Sequence, residues 1–335
     1  MGRMTTALVL GATGFIGGHL ALGALQRGWD VRGLRRDASA VGLLDAESVA
    51  WFNGNVDEPG SLDDALSGAD VVFHAAAFYP KDGRHVPHQV AHAVRQVRNV
   101  LEAVRRAGSP PLVYTSSLST IGRPPSGENR PADERDAYVP GTLPRSAYYE
   151  AKIAMETEVL GAAATGMPAV VVNPTVVFGP GDARPTTGAL LIAVARGYGL
   201  MAPPGWVNIV DVRDVAEGHL QAAEAGARGR RYILGGANLR IVDFMREVAK
   251  LAAVPPPRGE IPIGLLRALV RIGERVPGAS VLGNHLGAFE YWQPLNSARA
   301  ERELGLNPRP LTMTLTDALR WYVEHGALKR GTAVV

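Results

Sequence analysis

The stretch TALVLGATGFIGG, residues 6–18, joins an apolar run to a glycine-rich turn. Residues 6–10 predict a buried strand, and apolar side chains recur at helical spacing over residues 15–27. Gly11, Gly14 and Gly17 occupy the turn and the start of the helix. Such glycines let the backbone approach a pyrophosphate, and a helix N-terminus adds free N–H groups. The stretch therefore predicts the first unit of a dinucleotide-binding fold, the alternative being a tight turn that serves packing alone.

Strand and helix patterns alternate along the next 150 or so residues. Apolar runs predict strands at 31–34, 49–54, 69–77, 111–117 and 169–175. Helical patterns lie at about 60–67, 87–107 and 146–164. Continuous apolar runs are typical of parallel strands that helices cover on both faces. We therefore expect an α/β protein with a Rossmann-type doubly wound parallel sheet.

The alternation loosens after Pro174. The later part of the chain adds two predicted strands, at 207–212 and 230–236, a helix at about 214–225, and a region of prolines and short helices. We predict a dinucleotide-binding domain over residues 1–174, to which 204–236 returns. Residues 175–203 and 237–330 are predicted to form a smaller, mainly helical C-terminal substrate-binding domain.

Composition narrows the class of protein. A chain of 335 residues with 46% hydrophobic content can bury a large core, and its length fits about two domains. The absence of cysteine excludes disulfides and thiolate zinc sites, and no stretch resembles a stop-transfer segment, so we predict no metal, no membrane span and a cytoplasmic location. Net charge is only +3, and the arginines form no basic stripe, so we expect no nucleic-acid partner.

The end of the second predicted strand indicates which dinucleotide binds. In DVRGLRRD, residues 30–37, Arg35 stands about where an acid would hold the ribose of NAD, and arginine suits the 2′-phosphate of NADP. Arg35 and Arg36 are therefore candidate NADP ligands. NAD stays open, since arginine is common in this chain and Asp37 follows closely. Asn55 and Val56, after the third strand, are candidates for the adenine contact.

The segment SAYYEAK, residues 146–152, contains one of only four lysines in a chain with 31 arginines. On a helix, residues four apart share a face and residues three apart nearly do, so Lys152 could meet Tyr148 or Tyr149. The segment follows a strand that ends in YTSS, residues 114–117, and parallel sheets place their chemistry at such strand ends. A nearby ammonium favours the phenolate form of a tyrosine and makes it usable as a general acid or base.

Taken together, these motifs resemble the extended short-chain dehydrogenase/reductase family. The resemblance is carried by the glycine turn, HAAA (74–77), Asn99 in QVRNVLEA, TSS (115–117), the Tyr148–Lys152 spacing, NPTVVFGPGD (173–182) and RAERELGLNPRP (299–310). It implies that Tyr148 is the general acid/base, that Lys152 holds the cofactor ribose, and that Ser117 orients the substrate oxygen. Ser116 is the alternative serine. Tyr149 would be a packing neighbour, and Asn99 would tie strand backbones together.

The resemblance also implies a cofactor site and a homodimer formed through two helices. The implied cofactor residues are Gly11, Thr13, Gly14, Phe15, Ile16 and Gly17 at the phosphates, Ala75, Ala76 and Ala77 beneath the cofactor, and Pro174 and Val177 beside the nicotinamide. The family usually has an acid and then an apolar residue at the adenine, so Asn55 departs from its pattern. Candidate substrate contacts are Phe78, Tyr79, Arg184 and Trp206, each of which could equally be a packing or surface residue.

Two departures indicate the branch of the family. Val207 and Asn208 stand where nucleotide-sugar enzymes typically carry an arginine for the diphosphate, and Leu118 and Ser119 replace the acid pair of the dehydratases. The motifs look most like the dihydroflavonol-4-reductase-like bacterial branch, which includes proteins described as hopanoid-associated sugar epimerases.

Our leading hypothesis is an NADP(H)-dependent oxidoreductase that interconverts a carbonyl and a secondary alcohol on a small apolar substrate. The first alternative is an NAD-dependent sugar epimerase that works through a transient keto intermediate with the same three residues. The second is a cofactor-sensing regulatory protein, which would have no need of Ser117, Tyr148 and Lys152 together.

Overall fold

The computed structural model of the protein describes residues 4–329, except residues 46, 77, 81–84, 144–145, 263 and 266–291. Its main sheet has seven strands, all parallel, in the order β3-β2-β1-β4-β5-β6-β9. These strands are β1 (Thr6–Leu10), β2 (Asp30–Arg35), β3 (Ala50–Asn53), β4 (Val71–His74), β5 (Leu112–Thr115), β6 (Ala169–Pro174) and β9 (Arg231–Leu234). The predicted doubly wound parallel sheet is confirmed.

Helices cover both faces of this sheet. The described helices are α1 (Phe15–Gln26), α2 (Asp63–Leu66), α3 (Val86–Arg106), α4 (Ala147–Ala164), α5 (Gly188–Ala195), α6 (Val212–Ala225), α7 (Ile241–Leu251), α8 (Ala298–Leu304) and α9 (Leu311–Glu324). Alternate residues of β1 face opposite layers: Ala7 and Val9 pack with α1 and α6, whereas Leu8 and Leu10 pack with α3 and α4. None of the described helices combines the length and hydrophobicity that a bilayer crossing needs.

A second, three-stranded sheet lies in the later part of the chain. It contains β7 (Val176–Phe178), β8 (Trp206–Asp211) and β10 (Ala237–Arg240), with β8 in the middle, parallel to β7 and antiparallel to β10. Helices α5, α7 and α9 pack around it in a common apolar core, so the C-terminal region is mainly helical, as predicted.

The segment 204–236, predicted to return to the first domain, is shared between the two sheets. Strand β9 is the seventh strand of the main sheet, and α6 packs on α1, whereas β8 belongs to the second sheet. An apolar strand pattern is the same in either sheet, so it could not reveal this division. The domain boundaries themselves stay a prediction.

Candidate active site

Three side chains that the sequence singled out meet at the carboxyl edge of the main sheet. Ser117 follows β5, and Tyr148 and Lys152 lie on α4; we call these three residues the candidate triad. The Tyr148 hydroxyl donates to Ser117 Oγ at 3.3 Å, and Ser117 Oγ also accepts from the Ser119 N–H at 3.2 Å. Ser116 still belongs to the sheet, since its N–H donates to the Val172 carbonyl at 2.8 Å. The structure therefore brings Ser117, and not Ser116, to Tyr148.

Local contacts fix where α4 begins. Ser146 caps the helix, with its Oγ accepting from the Tyr149 N–H at 3.4 Å. The buried carboxylate of Glu150 accepts hydrogen bonds from the backbone N–H groups of Gly141 and Leu143 and so anchors the preceding loop. Tyr149 is buried, with its ring edge-on to that of Tyr148 at 5.9 Å between centroids. This surrounding structure holds Tyr148 at the open end of the helix.

Lys152 is a buried cation, with only 3% of its surface exposed. Burial lowers its pKa, while the charges of Tyr148 and Glu156 act in the opposite direction. His74, at the end of β4, is also buried, and burial together with the positive charge of Lys152 lowers the pKa of His74 to about 3. The imidazole is therefore neutral at physiological pH and leaves Lys152 as the local positive charge.

Tyr79 lies over Tyr148. Their rings stack with 5.3 Å between the centroids and 27° between the planes, although 55% of Tyr79 is exposed. The charge of Tyr148 raises the pKa of the Tyr79 hydroxyl. Of the predicted substrate residues, Tyr79 is thus brought to the candidate triad.

The other three predicted substrate residues take different positions. Phe78 packs edge-on against His92 at 5.0 Å between ring centroids. Arg184 is exposed in the loop after β7. Trp206 begins β8 and carries the Arg240 guanidinium 5.7 Å above its ring. These contacts indicate that Phe78 and Trp206 are packing residues. The sequence alone leaves this role open as the alternative to substrate contact.

The glycine turn has the shape that a pyrophosphate needs. Gly11 has a φ of +93°, and a Cβ there would come within 2.8 Å of the Ala76 backbone nitrogen. A Cβ on Gly17 would overlap the Gly11 carbonyl oxygen. No side chain caps the N-terminus of α1 and no acid lies in its first turn, so the positive end of the helix can receive an anion. The turn therefore fits a dinucleotide.

The remaining residues predicted at the phosphates and the cofactor surround this turn. Thr13 lies in the turn itself, and Phe15 and Ile16 open α1. The Ala75 N–H donates to the Leu10 carbonyl at 2.9 Å, which continues the β1–β4 pairing beneath the turn. Ala77 lies outside the described residues. Pro174 ends β6, and Val177 lies in the middle of β7.

The last residue of β2 is an arginine. The Arg35 guanidinium lies 5.1 Å above the Trp51 ring, and its buried Nε has no hydrogen-bond partner among the described residues. Asp37 is turned to Ser39, whose N–H and hydroxyl both donate to it, and these bonds lower the pKa of Asp37. The positive charge of Arg36 acts on Asp57. Protein covers the Nε atom of Arg35, so a phosphate at this strand end would meet the guanidinium through its terminal nitrogens.

The predicted adenine residues lie in the loop after β3. Asn55 Oδ1 accepts from the Asp57 N–H at 3.2 Å, and the Asn55 N–H donates to Ser61 Oγ at 3.0 Å. The carbonyl of Val56 accepts from Asn99 Nδ2 at 3.1 Å. Asn99 therefore ties a backbone, as predicted, but the backbone is that of this loop and not that of a strand.

Sequence reasoning missed a buried polar cluster behind the candidate triad. Glu156 Oε2 accepts from Thr120 Oγ1 and from Asn173 Nδ2, each at 2.7 Å, and Arg231 Nε lies 2.7 Å from Glu156 Oε1. We call these four residues the Glu156 cluster. One signal was present in the sequence: Glu156 follows Lys152 by four residues, so it shares the buried face of α4, and a buried acid needs partners.

A small uncharged cleft, with room for about one water molecule, lies next to Leu118, the residue after Ser117. It is lined by Leu118, Val176, Asn208, Trp292, Gln293 and Leu295. The two amides are held by backbone groups: Asn208 Oδ1 accepts from the Gly236 N–H at 3.0 Å, and Gln293 Nε2 donates to the Gly122 carbonyl at 2.7 Å. The wall where nucleotide-sugar enzymes would carry an arginine is therefore neutral and largely apolar.

Comparison with known proteins agrees with this geometry. The sequence profile of the NAD dependent epimerase/dehydratase family matches residues 7–235. A putative dihydroflavonol 4-reductase of Synechocystis sp. is 32% identical, over 96% of this chain and 95% of that protein. Sterol demethylase protein B of Methylococcus capsulatus is 31% identical, over 96% of this chain and all of that protein. The solved structure of a nucleoside-diphosphate-sugar epimerase from Pseudomonas aeruginosa is 28% identical, with a TM-score of 0.83 over 98% of this chain and 100% of that chain.

Proposed function

This chain belongs to the NAD dependent epimerase/dehydratase family, as an NAD(P)-dependent enzyme of the extended short-chain dehydrogenase/reductase type, and on that premise we propose that it is an NADP(H)-dependent reductase. Its reaction interconverts a carbonyl and a secondary alcohol on a small apolar substrate. One observation carries the proposal: the Tyr148 hydroxyl lies 3.3 Å from Ser117 Oγ, on a helix that buries Lys152 one turn later.

The candidate triad supplies the proton chemistry. A bound nicotinamide provides or accepts the hydride at the carbonyl carbon. Ser117 donates a hydrogen bond to the substrate oxygen and aligns it with Tyr148. In reduction, the Tyr148 Oη–H bond breaks and its proton passes to that oxygen, which yields the alcohol; in oxidation the proton returns. Lys152 would bind the cofactor ribose through its ammonium group.

The cleft next to Leu118 supports an apolar and uncharged substrate. Leu118, Val176, Trp292 and Leu295 offer apolar contact, and the lining amides are already bonded to backbone groups. A sugar diphosphate would bring about two negative charges, and the described residues that line the cleft include no cation to compensate them. The reductase name of the Synechocystis relative and the sterol-related name of the Methylococcus relative are in keeping with such a substrate.

Arg35 supports NADP over NAD. Its guanidinium lies over the Trp51 ring at the end of β2, and the neighbouring Asp37 is engaged by Ser39. A 2′-phosphate would accept from this guanidinium, whereas the hydroxyl of NAD would leave the charge without a partner. We expect Arg35→Ser to weaken NADPH binding at least about tenfold, or about 1.4 kcal/mol, and to leave NADH binding within about twofold.

The decisive experiment compares Tyr148→Phe with the wild type. Loss of the hydroxyl removes the proton donor but keeps the ring, so we expect kcat for reduction of a small apolar ketone by NADPH to fall at least about 100-fold. The Kd for NADPH should stay within about twofold of the wild type, because the ring still packs in place. The matched control is Tyr198→Phe, since Tyr198 is 78% exposed. Undiminished turnover in Tyr148→Phe would refute the proposed role.

Epimerisation is the second candidate, favoured by the structural likeness to the Pseudomonas epimerase. The same triad could oxidise a sugar hydroxyl and return the hydride to the other face of the keto intermediate. Such an enzyme retains its cofactor. Acid release of tightly bound NAD from the purified protein, together with no preference for NADPH, would move this candidate to first place.

A further inference from the structure

The Glu156 cluster is connected directly to the backbone of Ser117. Asn173 Nδ2 lies 3.2 Å from the Ser117 carbonyl oxygen and 2.7 Å from Glu156 Oε2, so its two amide protons can serve both acceptors. Thr120 has one hydroxyl proton, and its shortest contact, 2.7 Å, is with the Glu156 carboxylate. The amide of Asn173 thus bridges the chain at Ser117 to the carboxylate on α4.

This bridge joins the two halves of the candidate triad. Ser117 comes from the loop after β5, whereas Tyr148 and Lys152 come from α4. Glu156 lies one helical turn after Lys152 on α4. A contact with Glu156 is therefore a contact with the helix that carries both Tyr148 and Lys152. The separation between Ser117 Oγ and Tyr148 Oη therefore depends on the path from the Ser117 carbonyl through Asn173 to Glu156.

Arg231 offsets the cost of burying the Glu156 carboxylate. Only 7% of Arg231 and 5% of Glu156 are exposed, and a buried carboxylate without a cation would carry a large desolvation cost. Arg231 also donates to the Thr120 carbonyl at 3.1 Å and to the Glu134 carbonyl at 3.3 Å. Arg231 belongs to β9, an edge strand of the main sheet. This edge strand therefore helps to stabilise the geometry of the candidate triad.

We propose that Glu156 is a positioning residue of the candidate triad, which fixes the Ser117–Tyr148 separation through Asn173 and Thr120 while Arg231 neutralises its charge. The inference rests on the proposed function of the triad. Glu156 then does more than stabilise the fold, because it influences both the position of Ser117 and the electrostatics around Lys152.

The charges around these groups set the sign of the test. Lys152 is faced by Tyr148 and Glu156 from its own helix and by His74 from β4. Glu156 is faced in addition by Tyr114 from β5 and, as its cation, by Arg231. The negative charge of Glu156 raises the pKa of Lys152, so its removal lowers that pKa.

The test is Glu156→Gln, with kcat measured against pH, together with the crystal structure of Glu156→Met. We expect kcat at neutral pH to fall at least about tenfold, with the Kd for NADPH within about threefold. The alkaline limb of the kcat profile should move to lower pH by about 0.5 pH units or more. Arg231→Met removes a positive charge instead, so its alkaline limb should not move to lower pH. Gln still offers an oxygen to Asn173 and Thr120, whereas Glu156→Met removes the acceptor, so the Ser117 Oγ–Tyr148 Oη separation in the crystal structure of Glu156→Met should exceed the 3.3 Å seen here.

A matched control is Asp214→Asn, which removes another buried carboxylate paired with an arginine, Arg309. It should lower thermal stability but keep the pH profile. If Glu156→Gln does not fold, Thr120→Val removes a donor to Glu156 at nearly constant volume and should lower kcat in the same way. A wild-type kcat, pH profile and Ser117–Tyr148 separation would overturn the inference.

Failure of the proposed function gives a different result. A wild type that reduces no apolar ketone, or that retains turnover in Tyr148→Phe, counts against the reductase proposal. The crystallographic separation in Glu156→Met still decides whether Glu156 positions Ser117.

Discussion

The ring of Tyr79 lies on the ring of the candidate acid/base Tyr148, with 5.3 Å between the two centroids. The contact has an apolar part, the ring stack, and a polar part, the electrostatic interaction of the Tyr79 hydroxyl with Tyr148. Because the stack covers Tyr148 where an apolar substrate would bind, we expect the ring of Tyr79 to contribute more to substrate binding than its hydroxyl.

Two substitutions separate these parts. Tyr79→Phe keeps the stack and should leave the substrate KM within about threefold of the wild type, whereas Tyr79→Ala should raise KM about tenfold through the loss of aromatic contact. Steady-state kinetics with one ketone decide the matter. Equal KM values in the two variants would contradict a packing role for the ring.

The glycine turn can be tested against a second glycine of the same chain. Gly17 and Gly161 both lie in helices, but a Cβ on Gly17 would overlap the Gly11 carbonyl, whereas a Cβ on Gly161 meets nothing within 4 Å. Gly17→Ala should abolish NADPH binding or folding. Gly161→Ala should raise the free energy of unfolding by about 0.5–1 kcal/mol, because alanine favours a helix over glycine. NADPH titration and urea unfolding of both variants provide the check.

A buried histidine makes stability depend on pH. His219 accepts from Thr115 Oγ1 at 2.8 Å and donates to the Val215 carbonyl, and burial lowers its pKa from 6.5 to about 4. As the pH falls below 6.5, His219 takes up a proton in the unfolded chain but not in the folded chain. The contribution of the neutral His219 to the free energy of unfolding is therefore complete above pH 6.5 and is lost between pH 6.5 and 4.

His219→Gln removes the titrating group but can keep the bond to Thr115. Between pH 7 and pH 5, we expect this variant to lose less stability than the wild type, by about 1–2 kcal/mol. Urea unfolding at the two pH values measures the difference. An unchanged difference would show that His219 is not the group responsible.

The last described helix is tied to the loop after β7 by one buried bond. The Tyr322 hydroxyl on α9 donates to Asp182 Oδ2 at 2.9 Å; burial raises the pKa of Asp182, and this bond opposes the rise. Tyr322→Phe leaves the buried carboxyl without that donor and should cost about 1–3 kcal/mol at pH 8. Because Asp182 then takes up a proton more readily, the cost should be smaller at pH 5. Equal costs at both pH values would contradict this assignment.

Local patterns allowed the prediction of much of the fold and of the triad. The strand, glycine turn and helix of residues 6–26 are consecutive, and Tyr148 and Lys152 are one helical turn apart, so short spacings contain the relevant geometry. Phe78 and Tyr79 are adjacent and both aromatic. Only the path of the backbone after β4 decides that Tyr79, and not Phe78, reaches Tyr148.

Contacts between distant segments could not be predicted in this way. Glu156 and Arg231 form their ion pair across 75 positions of sequence, and nothing near either residue indicates the other. The same limit applies to β8, whose apolar residues suit either sheet. A pattern reports that a side chain is buried, but the partner that it meets depends on the assembled sheet.

The chain passes between the two sheets three times: after β6, after β8 and after β9. A fragment cut after Pro174 would therefore lose β9 and α6, and would expose an edge of the main sheet and the apolar surface of α1. A chimera designed to borrow the substrate preference of a relative has to respect this interleaving. It should exchange the segments of β7–β8, β10–α7 and α9 together, and retain α6, β9 and α8 of the recipient, since α8 packs on α6 and β9.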